Sequence, residues 1–131
     1  MSSVPFTPAV NADTLILPCG SGGATYSVLM PTGVAVDGRE CSCSLVLDKR
    51  VKIIFQHAFS SSKLTSVTIP NSVTSIGTQA FAFNSSLTTI SIPKALVILG
   101  SNVFERDSSL TKINYCGALT EFPITPTCTS K

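Results

Sequence analysis

Leu64, Leu87 and Leu110 stand 23 residues apart, and the residues around them keep the same step. Val67 is followed at that distance by Ile90 and Ile113, and Ile69 by Ile92 and Tyr115. Pro70 is followed by Pro93, Val73 by Leu96, Ile76 by Leu99, Gly77 by Gly100 and Phe81 by Phe104. Self-similarity at such a period marks a chain that stacks like units. An earlier copy is visible at a step of 22: VKIIFQHAF (51–59) matches VTSIGTQAF (73–81), pairing Val51, Ile54, Ala58 and Phe59 with Val73, Ile76, Ala80 and Phe81. Leu45 and Leu47 take the places of Val67 and Ile69, and VLMPTGV (28–34) repeats the apolar-Pro-x-x-Val spacing of VTIPNSV more weakly. The period therefore predicts three coils beginning near Leu45, Val67 and Ile90, a fourth started at Ile113, and one degenerate coil before them.

Within a coil, SVTIP alternates polar and apolar, the period of a strand with one buried face. Pro70 lacks an N–H and ends the strand's row of donors. Asn71-Ser72 turns the chain, and VTSIG is a second short extended piece with Val73 and Ile76 inward. Gly77 permits a tight corner. Thr78 then suits a helix N-cap, so TQAFAFN predicts a short helical or 3₁₀ turn that drops Phe81 into the core. One such coil cannot bury enough apolar surface to offset the ordering of its residues, so stability must come from stacking on its neighbours.

Composition fits that scheme and narrows the function. Apolar residues make up 44% of the 131 and charged residues 12%, which suits one domain with an aliphatic core and excludes a disordered chain. A net charge of +2 gives no argument for nucleic acid or an anionic membrane surface. The cluster Lys49, Arg50 and Lys52 reads as a solvated turn. No run reaches the ~20 apolar residues of a membrane helix, so membrane insertion is not expected. The opening MSSVPFTPAV has neither a basic nor an apolar leader region and is not read as a signal peptide.

The stretch LTSVTIPNSVTSIGTQAFAFNSSL closely resembles the BspA-like, or treponemal-class, leucine-rich repeat, whose pattern is L-x-x-I-x-I-P-x-x-V-x-x-I-G-x-x-A-F-x-x-C/N-x-x-L. The match covers about residues 43–115. It departs from the commonest leucine-rich pattern at Ser72, where Asn would stand, and from the family at Phe55, where Gly is expected. The resemblance implies a mainly β, right-handed leucine-rich-repeat solenoid with a parallel sheet and capped ends. It also implies a secreted or cell-surface setting and a role in adhesion or protein binding.

A stack of coils needs covers at both ends. Residues 1–13 are read as a flexible tail. Residues 14–42 form an N-terminal cap that includes the degenerate repeat, with TLILP and YSVLMP as strands. The repeats follow at 43–115. Residues 116–131 form a C-terminal cap in which Leu119, Phe122 and Ile124 fold over the last coil. All five cysteines belong to the ends: Cys19, Cys41 and Cys43, then Cys116 and Cys128. A Cys116–Cys128 bridge closes a short loop, and Cys19 pairs with Cys41 or Cys43. Cys41 is preferred because Cys43 is expected in the buried row of the first strand. Zinc on Cys19, Cys41 and Cys43 is disfavoured by the C-x-C spacing and by the placing of His57 on another coil. Free thiols throughout would fit a cytosolic protein.

Chemistry finds little footing. His57, the single histidine, aligns with Gln79 in a turn, without a thiol in its coil. Glu105, Arg106 and Asp107 read as a charged solvent corner, and GSGGA (20–24) as a flexible loop without a phosphate-binding frame. The sequon Asn84-Ser85-Ser86 would matter only in a eukaryotic secretory path. No cofactor or metal is expected. A surface remains: with Val67 and Ile69 inward, alternation turns Ser44 and Val46, Ser66 and Thr68, Thr89 and Ser91, and Lys112 and Asn114 outward. This strip could meet a protein or glycan, or its hydroxyls could simply be soluble fillers on a spacer module. Open sheet edges at the ends would allow end-to-end self-association. A hydrolase would need an acid pair or Cys–His site that these residues do not assemble.

Overall fold

The computed structural model describes residues 14–128. The expected tail at 1–13 and the last three residues of the expected C-terminal cap lie outside the described residues. Four strands supply one parallel sheet: β4 (Ser42–Val46), β6 (Lys63–Thr68), β8 (Thr89–Ser91) and β10 (Lys112–Asn114), in the order β10-β8-β6-β4. Their register sets Leu45 opposite Val67, Val67 opposite Ile90, and Ile90 opposite Ile113. These are the pairs that the sequence period aligns.

The second extended pieces form a sheet of their own, which the repeat alone does not announce. β5 (Ile53–Ile54), β7 (Ser75–Ile76) and β9 (Ile98–Leu99) stack in parallel, with Ile54, Ile76 and Leu99 in one row. β3 (Val34–Val36) joins β5 in parallel, and β1 (Thr14–Pro18) and β2 (Thr25–Leu29) continue from β3 as an antiparallel meander. The six-stranded order is β1-β2-β3-β5-β7-β9. In it Val34 lies opposite Ile53, two residues past the Val51 that the weak echo in VLMPTGV would choose.

The predicted helical turn after the glycine corner does not form: the described residues contain no helix. His57, Gln79 and Asn102 hold φ of 60°, 54° and 56°, and Ser61, Phe83 and Arg106 hold 57°, 62° and 60°. Left-handed residues at these places break a right-handed helix. They also let the backbone bond in two directions. Alternate N–H groups close turns within the coil, as from Ala80 to Gly77 O and from Ala82 to Gln79 O. The others climb one level: His57, Phe59 and Ser61 donate to Thr78, Ala80 and Ala82, and Gln79, Phe81 and Phe83 donate to Ser101, Val103 and Glu105. The amides from His57 to Ser61 and from Gln79 to Phe83 are thereby all bonded, which offsets the cost of the strained φ values.

Gly77 and Gly100 are required by proximity rather than by a special φ. A Cβ on Gly77 would lie 2.6 Å from the Gln56 nitrogen, and one on Gly100 2.5 Å from the Thr78 nitrogen. Between the sheets and the turns run continuous buried columns. Leu64 and Leu87 are fully buried and Leu110 nearly so. Phe59 and Phe81 stack at 5.3 Å, and Phe81 and Phe104 at 6.4 Å; Tyr26 closes this column on one side and Phe122 on the other. Each such ring or aliphatic side chain contributes about 1.5–3 kcal/mol by leaving water. Leu119, Phe122 and Ile124 pack partly buried against this core.

Candidate functional site

The outward strip is held flat by the parallel register of β4, β6, β8 and β10. Ser44, Val46, Thr68 and Lys112 are exposed, while Ser66, Thr89, Ser91 and Asn114 are half-buried between their neighbours. Val46 is 71% exposed, the apolar end of a strip whose other end is the Lys112 ammonium. Ser66 Oγ donates to Ser44 Oγ at 2.8 Å. A second hydroxyl column runs beside it, with Thr88 Oγ1 donating to Thr65 O at 3.0 Å and Thr111 Oγ1 to Thr88 O at 3.4 Å. Along the C-terminal ends of β6 and β8 the strip borders a depression of about 700 Å³ lined by Thr68, Pro70, Asn71, Ser91, Pro93 and Lys94 among others. Its walls exist because the chain turns away at Pro70 and Pro93, one level apart.

Cys19 bonds to Cys41 and Cys116 to Cys128, the preferred pairings. Cys43 is not in the buried row: it is free and exposed, with φ of 65°. Cys43 lies opposite Leu64 and Ser44 opposite Ser66, so the extra residue is Thr65 of β6, and at this irregularity the left-handed Cys43 turns its side chain to solvent instead of into the Leu64 row.

The corner Glu105-Arg106-Asp107 also departs from expectation. Arg106 is exposed, and Glu105 accepts from Gln79 Nε2 at 2.7 Å. Asp107, however, is 9% exposed. Its Oδ1 accepts from the Asn84 N–H at 2.7 Å, while Oδ2 is buried without a partner among the described residues. Burial pushes this carboxyl up to about 7, opposed by the Asn84 N–H. Asp107 continues a polar column through the stack. Asn84, one level earlier, accepts from the Ser62 N–H and Oγ–H and donates to the carbonyls of Phe59 and Phe81. Asn84 is fully buried, so the sequon around it offers no accessible amide. The step of 23 from Asn84 to Asp107 was the signal for this column; the charge of Asp107 concealed it.

His57 lies exposed in its turn, as expected. In the basic cluster, Arg50 grips Asp48 through two bonds, Nε to Oδ1 at 2.8 Å and Nη2 to Oδ2 at 3.0 Å. The guanidinium holds Asp48 down at about 2. Lys49 and Lys52 are exposed. Among the described residues no three His, Cys, Asp or Glu side chains converge as a metal site would need.

The profile of the BspA type leucine rich repeat region matches residues 39–125 in six copies. No curated protein matches the chain. Among solved structures, a leucine-rich repeat protein from Eubacterium ventriosum superposes with a TM-score of 0.61 at 21% identity, over 75% of this chain. The chain spans 29% of that protein's length, and the likeness shows the fold. With its repeat matched over most of its length and the strands of its coils stacked in parallel, the chain belongs to the BspA type leucine-rich repeat family.

Proposed function

We propose that the protein is a non-enzymatic binding module that works outside the cell, secreted or at a surface, and adheres to a protein through the outer face of the sheet β10-β8-β6-β4. The observation that carries this reading is the in-register strip from Val46 to Lys112 beside the depression at Pro70 and Pro93. A flat parallel sheet fixes side chains at about 4.8 Å intervals without ordering cost, the condition under which a modest surface gains affinity. Two disulfides suit an oxidising compartment. A glycan partner would use the same hydroxyls and the Lys94 and Lys112 ammonium groups. The strip has no aromatic or Arg anchor, so single copies bind weakly and depend on avidity.

The test is the pair Thr68→Glu and Thr89→Glu. Thr68 is exposed and Thr89 half-buried on this face, so both carboxylates reach solvent and the fold tolerates them. Binding to cells or to an isolated partner is expected to fall at least tenfold, with an unchanged thermal midpoint. Equal binding by the double variant would remove the sheet-face proposal. A chain that binds nothing in the same assay would favour the second reading, a spacer whose hydroxyls only keep it soluble.

A further inference from the structure

The four edges of the two sheets are treated differently. In the four-stranded sheet, the edge of β4 is partly covered where the Ser42 N–H donates to the Cys19 carbonyl, and β10 is covered where Asn114 bridges to Thr127, the Tyr115 N–H donates to Thr127 O and the Thr127 N–H donates to Ile113 O. In the six-stranded sheet, among the described residues, β1 pairs with β2 alone and β9 with β7 alone. Neither β1 nor β9 contains a charged residue or a bulge; Pro18 limits the free edge of β1 to its first four residues, and that of β9 is two residues long. Large apolar side chains stand exposed on both: Ile16 at 60%, and Ile98 at 59% beside Val97 at 66%.

At the β9 end Phe122 covers the Phe104 ring, while the edge of β9 itself stays open. The N–H groups of Ile98 and Gly100 bond back to Thr74 and Ile76, so the backbone of Leu99 between them faces outward. Asn102, Phe104 and Arg106 hold the places of Gln79, Phe81 and Phe83, whose N–H groups bond to the next level, and here there is no next level. A hollow of about 580 Å³ lies against Leu99, Phe104 and Phe122.

The two ends also fit each other. β1 runs antiparallel to β2, and β2 to β3, while β3 runs with β5, β7 and β9, so β1 points the same way as β9. At the β1 end the six-stranded sheet overhangs the other by three strands, β1 to β3. At the β9 end the four-stranded sheet overhangs by β10 and the Thr127 bridge. The overhangs differ by one strand width, about 4.8 Å, and the Cys19–Gly20 segment already lies along β4, its Cys19 carbonyl accepting from the Ser42 N–H.

We propose that the protein associates head to tail with a second copy of itself, β9 of one copy pairing in parallel with β1 of the next. The contact continues the coil-on-coil interface already repeated inside the chain. It sets Ile98 beside Ile16 of the neighbour on the outer face and Leu99 beside Leu17 of the neighbour in the core. Such a contact is heterologous, so it propagates. It uses the six-stranded sheet, and its failure leaves the reading of the other sheet untouched.

Sedimentation velocity of the oxidised full chain, from micromolar to millimolar, is expected to show a mean mass that rises steadily with concentration. Ile16→Lys blocks the head and Ile98→Lys the tail; each variant alone is expected to sediment as a monomer with an unchanged circular dichroism spectrum. Mixed in equal amounts they should form dimers and nothing larger, because one free tail meets one free head. If either fails to fold, Thr14→Lys and Val97→Lys make the same pair of lesions. A wild-type chain that stays monomeric throughout overturns the proposal. So does a head-blocked chain that still self-associates, or a mixture that stays monomeric.

Discussion

Asp107 occupies the place in its coil that Asn84 occupies one level earlier, and the exchange of an amide for a carboxyl has consequences. Asn84 uses its NH₂ group to satisfy two carbonyls. Asp107 offers an oxygen instead, and Oδ2 is left buried without a partner among the described residues. The proton that would cure this is retained in the folded state, where burial pushes the carboxyl up from 3.8 to about 7. The sign follows from linkage: between these values the unfolded chain has released the proton and the folded chain keeps it, so stability falls as pH rises through that window. Urea unfolding should give a lower midpoint at pH 8 than at pH 5, with this group as one cause. Asp107→Asn restores the amide and should raise stability at pH 8 by about 1–3 kcal/mol, the usual cost of an orphaned buried acceptor. It should also flatten the pH dependence over the same range. An Asn variant no more stable than wild type at pH 8 would show that Oδ2 finds a partner in solution.

At the scale of the coil, the aromatic column decides how firmly one level holds the next. Phe81 is fully buried and stacked on Phe59 and Phe104, 5.3 Å and 6.4 Å away. Phe81→Ala should cost about 3–5 kcal/mol, since both neighbours lose a face and the close turns cannot collapse into the gap. Phe122→Ala removes a half-buried ring at the end of the same column and should cost less; denaturant midpoints would rank the two. The places of these rings were legible in the sequence because a buried column demands the same residue at every step, as Leu64, Leu87 and Leu110 also do. The corners were not. Thr78 and Gln79 read equally well as the start of a helix, and only the carbonyls of the next level make the left-handed φ at Gln79 the better bargain. Cys43 was misplaced for a related reason: strand alternation puts it inward, and a bulge in the register puts it outside. The hydroxyl strip followed from alternation alone, but the second sheet and its bare edges needed the pairing of β5, β7 and β9, each only two residues long.

Across the whole molecule, stability is distributed along one axis. Each coil touches the coils before and after it, so the chain behaves as a row of neighbours rather than as a single sphere. The middle of the row, from β6 to β8, is held by columns buried on both sides. The ends have neighbours on one side, and it is there that the covalent ties occur: Cys19–Cys41 fastens the N-terminal meander to the first coil, and Cys116–Cys128 closes the segment that bridges Ile113 and Tyr115. With its cysteines 12 positions apart in the sequence, the second tie contributes about 3 kcal/mol through the entropy of the opened chain. Reduction should therefore act locally. Amide hydrogen exchange of the reduced protein is expected to accelerate more than tenfold at Tyr115 and Thr127, and in β1 and β2, while the amides of Val67 and Ile90 keep most of their protection. Mild heating of the reduced chain should then release the two ends before the central coils. A reduced protein that loses protection uniformly, with Val67 and Thr127 exchanging in one step, would mean that the coils unfold as a single unit and that the two ties stabilise the row as a whole.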